Sequence, residues 1–121
     1  MITGSVSGRH ALVPVTFRIP NQPDLTIEFV LDTGFVGFLT LPPAAAARLA
    51  LPFRYRVPAN LADGSRIMVA VHMATIVWHG LERRTEIIAT GKQPLLGTSL
   101  LDGNDLAVRF ADGGTVTIQP F

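Results

Sequence analysis

Short alternating or wholly apolar runs, separated by turn residues, organise this chain, and helical spacing is nearly absent. His10–Ile19 (HALVPVTFRI) predicts a strand, with Pro14 marking a sheet edge or a bulge because proline has no N–H for a ladder. Leu25–Asp32 (LTIEFVLD) alternates at first and then turns wholly apolar, as a strand entering a core does; the intervening PNQPD is a turn cluster. A short apolar strand follows in FLTL, Phe38–Leu41. Only AAAARLAL, Ala44–Leu51, predicts a helix, with Pro42 and Pro43 tolerated at its start, where the missing N–H would be unpaired anyway.

Three Asp-Gly pairs follow, at Asp63-Gly64, Asp102-Gly103 and Asp112-Gly113. The first separates FRYRVPANLA from SRIMVAVHMATIVWH, and the third separates LAVRF from TVTIQ. Asp-Gly suits the positive φ angles of tight turns, so both predict hairpins. TEIIATG (Thr85–Gly91) predicts another strand, Arg83-Arg84 a solvated turn before it, and TSLLDGN a helical turn. The expectation is all-β with one or two short helices, in one domain spanning residues 1–121 with no linker or low-complexity tract.

Composition narrows the function. Hydrophobic residues make up 48% of the chain and charged ones 16%, so disorder is not expected. The formal net charge is only +1, without a block of like charges, which argues against nucleic acid as a partner. Cysteine is absent, removing disulfides, thiol nucleophiles and thiolate metal sites. The start, MITGSVSGRHALVPV, lacks a signal peptide's charged and apolar regions, and no apolar run reaches the roughly 18 residues of a membrane span. A cytoplasmic domain with no membrane partner is the expectation.

The chemistry concentrates at FVLDTGFVGFLTLPP, where Asp32-Thr33-Gly34 ends an apolar strand. A chance Asp-Thr-Gly turns up in about a few per cent of chains this long, so the triplet alone decides little. By itself it also suits a structural turn whose aspartate caps backbone N–H groups. Downstream, PLLGTSLLDG supplies Leu95-Leu96-Gly97 before a helix-prone segment. These two motifs, with the Asp63-Gly64 hairpin between them, resemble the retropepsin-like aspartic proteases (clan AA). LDTGFVGFLTLP is similar more narrowly to the small bacterial and archaeal members. The resemblance covers the chain from about Thr16 to Phe121; its specific parts are the Asp32 region and LLG, and the hairpin matches by position.

Such a resemblance implies a closed β-barrel of the acid-protease type with a flap hairpin, and an aspartic endopeptidase that needs no cofactor or metal. Two adjacent carboxylates cannot both ionise cheaply, so they share a proton; aspartic proteases are a standard illustration of such a dyad. One member takes a proton from water, and the other hydrogen-bonds the scissile carbonyl. This chain has one Asp-Thr-Gly, and Asp24, Asp63, Asp102, Asp105 and Asp112 lack a following Thr-Gly or Ser-Gly. The resemblance therefore implies a homodimer with Asp32 of each copy at the two-fold axis. It assigns Thr33 to bracing the two loops, Gly34 to close backbone approach, and Gly97 to packing beneath the loop. It places Ala62, Asp63, Gly64 and Ser65 over a peptide or protein substrate; Phe35, Val36 and Phe38, apolar and next to the aspartate, are candidates for apolar pockets or for the core. Phe35 stands where retroviral enzymes carry Ala or Ser, so their substrate preferences do not transfer. The alternatives are a catalytically inactive peptide-binding domain and a dimerisation scaffold of the same fold.

Other chemistries lack their motifs. His10, His72 and His79 have no metal-ligand spacing; Ser99 lacks the Gly-x-Ser-x-Gly elbow; and GFVG lacks the lysine and length of a phosphate loop.

Overall fold

A computed structural model describes all residues, 1–121. Its elements run β1 (Ile2–Ser7), β2 (His10–Arg18), β3 (Leu25–Leu31), β4 (Leu39–Leu41), α1 (Pro43–Arg48), β5 (Phe53–Asn60), β6 (Arg66–Trp78), β7 (Leu81–Ala89), β8 (Leu95–Leu96), α2 (Thr98–Leu101), β9 (Asn104–Val108) and β10 (Thr115–Pro120). The sheet order is β5-β6-β7-β4-β8-β3-β2-β1-β10-β9. Because β6 also pairs with β2, the strands β6, β7, β4, β8, β3 and β2 make a hydrogen-bonded circuit that returns on itself.

Two parallel pairings interrupt an otherwise antiparallel sheet. The two-residue β8 lies between β3 and β4: Leu95 and Leu96 run parallel to Val30 and Leu31, and antiparallel to Thr40 and Leu39. β4 in turn runs parallel to β7. Parallel neighbours need long crossovers, so segments far apart in the chain meet beside Asp32. The core beneath them is dense. Phe29, Leu39, Leu96 and Leu100 are fully buried, as are Phe17, Ile76 and Ile87. The rings of Phe17 and Phe29 stack with centroids 6.0 Å apart. Each such side chain contributes ~1.5–3 kcal/mol through burial.

Pro14 has a local edge. On one flank of β2, β1 pairs only with residues 10–12 and β6 only with residues 16–18. Pro14 falls in the gap, so its missing N–H breaks no ladder bond there.

Three sequence expectations are revised, and one strand is new. Arg83-Arg84 is not a turn: both residues lie within β7, and the reversal comes earlier, at His79-Gly80, whose φ angles are +51° and +75°. Positive φ at both residues is the geometry of a tight hairpin turn, here with an unusual histidine. β1, unread in the sequence, pairs with both β2 and β10. The helix stops at Arg48, before Ala50 at φ +50° and Pro52. β9 begins at Asn104, leaving Phe110 in the connecting loop and exposed. The hairpins at Asp63-Gly64 and Asp112-Gly113 form as expected, by pairing of β5 with β6 and of β9 with β10. Neither helix is long and apolar enough to cross a membrane.

Candidate active site

Asp32 directly follows β3, at the rim of the core. Its N–H donates to Leu96 O at 3.0 Å, continuing the pairing of β3 with β8 by one residue. Its Oδ1 accepts the Gly34 N–H at 2.9 Å, and the Phe35 N–H donates to its carbonyl at 3.1 Å. The carboxylate thus sits in an aspartate turn of the kind Asp forms two residues before a free N–H. The side chain remains half-buried and Gly34 is exposed. A Cβ at Gly34 would lie 3.2 Å from Asp32 Oδ1 and crowd it.

The loop after the aspartate is bolted to the segment around Gly97. Gly97 N–H donates to Phe38 O (2.9 Å), Thr98 N–H to Phe35 O (2.8 Å) and Ser99 N–H to Gly37 O (3.2 Å). The Thr98 hydroxyl adds a bond to Phe35 O at 3.3 Å, and the Ser99 hydroxyl donates to Val36 O. Gly97 leaves no room for a side chain: a Cβ there would stand 2.3 Å from Gly37 O, 2.6 Å from Phe35 O and 2.5 Å from the Phe35 ring. The Phe35 ring lies against Gly97 and Gly37, so it fills the underside of the loop. Val36 is 74% exposed, and Thr33 is exposed with no hydrogen bond from its hydroxyl within the chain.

No second carboxylate of the chain joins Asp32 through hydrogen bonds. Asp24 and Glu82 pair with Arg18, Glu86 accepts from the Tyr55 hydroxyl, and Asp112 accepts from the Gly8 N–H. Asp63 accepts from the Ser65 hydroxyl and N–H, at 2.5 and 2.8 Å. These two bonds, the hydroxyl first, hold the Asp63 carboxyl below its ordinary pKa. Of the histidines, His72 bonds to Leu51 O and His79 to Asn104.

Ala62, Asp63, Gly64 and Ser65 form the exposed tip of the β5–β6 hairpin, closed by Leu61 N–H to Ser65 O at 2.8 Å. No hydrogen bond joins this tip to the Asp32 loop. The two regions approach at the base of the hairpin instead, where Gly37 and Phe38 face Tyr55, Val57, Val71 and Ile88 across a groove of about 210 Å³. Phe38 lines this groove; Phe35 and Val36 do not. Thr98, Ser99 and Tyr55 are participants that residue-type reasoning passed over. The only signal for the first two was their position directly after Leu-Leu-Gly, while Tyr55 carried none.

No protein-family profile matches the sequence, and neither does any curated protein. The comparison with solved structures defines the fold as retropepsin-like. The chain superposes on the crystal structure of a retropepsin-like aspartic protease from Rickettsia conorii with a TM-score of 0.58 and 18% identity, over 95% of this chain and 87% of that one. At that identity the likeness concerns the fold.

Proposed function

We propose that this chain is an aspartic endopeptidase whose active site is completed by a second copy, with Asp32 of each protomer forming the dyad. The observation that carries the reading is the arrested Asp32-Thr33-Gly34 turn, one half-exposed carboxylate fixed by Gly34 N–H on a loop locked to Gly97, Thr98 and Ser99. The retropepsin-like fold supports it, and the six-strand circuit suits a closed barrel. One carboxylate alone has no acid partner; two related by a two-fold axis share one proton, and the ionised member activates water. The dyad then titrates as a unit. The exposed Thr33 hydroxyl, free within the chain, is available to a partner loop. Gly97 keeps its role beneath the loop, and the hairpin tip at Ala62–Ser65 closes over an extended peptide, excluding water. The protein acts in the cytoplasm on a peptide or protein substrate.

The test is a peptide-library digest by wild type beside Asp32→Asn, with the mass in solution measured in parallel. Cleavage by the wild type alone, from a dimer, is the expected result. Cleavage that survives in Asp32→Asn, or a strict monomer that cleaves, defeats the reading.

A further inference from the structure

A second groove opens from Phe38, away from the Asp32 turn, and its charge is out of proportion to the chain. Arg54, Arg83 and Arg84 all line this groove of about 390 Å³, together with Phe38, Tyr55 and Glu86. The whole protein carries a net charge of only +1, so three arginines in one groove are a local concentration. None of them is neutralised: both ion pairs of the structure belong to Arg18. The one carboxylate lining the groove, Glu86, accepts from the Tyr55 hydroxyl. Asp102 lines the neighbouring groove with Arg83, Thr98 and Ser99 but makes no ion pair.

Two details position two of these arginines, Arg54 and Arg83. The register of β5 against β6 shifts between Phe53 and Tyr55, leaving Arg54 as the extra residue of a bulge. Bulges re-aim a side chain relative to the regular pleat. The Arg83 guanidinium carbon lies 5.6 Å from the centroid of the Phe38 ring. Contact with a ring face restrains a guanidinium while its in-plane N–H donors remain open to a carboxylate. Phe38 also lines the smaller groove at the hairpin base and ends the loop that carries Asp32, and the two grooves adjoin through Phe38, Tyr55 and Glu86.

We infer that this groove binds an acidic side chain of the peptide, making Arg54, Arg83 and Arg84 the specificity determinants for substrates with Glu or Asp a few residues from the scissile bond. That the occupant is a substrate rests on the peptidase reading; the cationic groove does not. An extended peptide places successive side chains on alternate sides, so one acidic residue reaches the arginines while the backbone lies along the cleft. A Gln at that position is close in size to Glu but has no charge to meet them.

The test scans a peptide library in which each position is offered as Glu or Gln. Wild type is expected to cleave the Glu form about tenfold more efficiently at one position, a difference of ~1.4 kcal/mol, and less so as salt screens the pair. The Glu:Gln ratio of kcat/KM should fall toward one in Arg83→Gln/Arg84→Gln, and in Arg54→Gln as an independent route. It should persist in Arg48→Gln, a control outside the groove. Cleavage with no acid preference at any position overturns the inference while leaving the peptidase reading intact, and so does a preference that survives the arginine substitutions. Should wild type cleave nothing, the peptidase reading fails and binding of fluorescein-labelled Glu and Gln peptides decides the groove. Tighter, arginine-dependent binding of the Glu peptide supports it; equal binding overturns it.

Discussion

The Asp32 loop and the β5–β6 hairpin tip are both short turns after strands, yet they are held in opposite ways. The loop from Asp32 to Phe38 is fastened by bonds that cross more than 55 residues of sequence, to Leu96, Gly97, Thr98 and Ser99, over a core at Phe29, Leu39 and Leu96. The hairpin tip bonds only to itself, through Leu61, Asp63, Gly64 and Ser65, and every residue from Asn60 to Met68 is exposed. Local opening is cheapest where buried contacts are few. One turn is therefore pre-organised and the other is the cheaper to open, the contrast on which the proposed dyad and lid rest.

The largest break in this contrast is expected at Asp32. Asp32→Asn keeps an oxygen for Gly34 N–H, so the thermal midpoint should hold while cleavage falls by at least ~10²-fold, the scale of lost general acid–base catalysis. A melting curve and a digest read the two effects separately. Next comes Gly97→Ala, whose Cβ would meet the carbonyls of Gly37 and Phe35 at 2.3 and 2.6 Å. Overpacking of this kind costs ~1–3 kcal/mol, and denaturant unfolding should show it; an unchanged midpoint would mean that the loop yields.

Gly64→Ala probes the opposite case. Gly64 has φ +84° with nothing within 4 Å of a Cβ, so the cost is backbone strain alone, about 1–2 kcal/mol. It should appear as faster amide exchange between Asn60 and Arg66, with a smaller fall in global stability than Gly97→Ala gives. The smallest effect is on pH. Because Ser65 lowers the folded pKa of Asp63, the stabilisation is complete above the unfolded value near 3.8 and is lost as pH falls through the lower folded value. Protection of the Ser65 amide, measured against its intrinsic exchange rate at each pH, should fall below about pH 4, and Asp63→Asn should remove that dependence.

Much of the β-structure was legible because strands and tight turns have local signatures. Alternation marked β2 and β3, and Asp-Gly marked two hairpins. β1 escaped because ITGSVS is half small and polar; it is a strand because β2 and β10 flank it. The Arg83-Arg84 strand was misread because its charges suggested solvent, whereas pairing with Ile76 and Thr75 of β6 fixes its backbone as strand. The one cue to the reversal at His79-Gly80 was length: thirteen residues exceed a usual strand, and a glycine follows soon after.

At the candidate site, the sequence by itself determined the chemical parts: one Asp-Thr-Gly, one Leu-Leu-Gly, and no second carboxylate motif. Residue identity suffices for that, since acidity and the absence of a side chain are properties of single residues. Only the tertiary structure decided that Leu96 lies between Leu31 and Leu39, that Thr98 and Ser99 lock the loop, and that Phe38 meets Arg83. Parallel pairing and a returning sheet bring together residues 45 to 65 positions apart, and no local pattern records such distances.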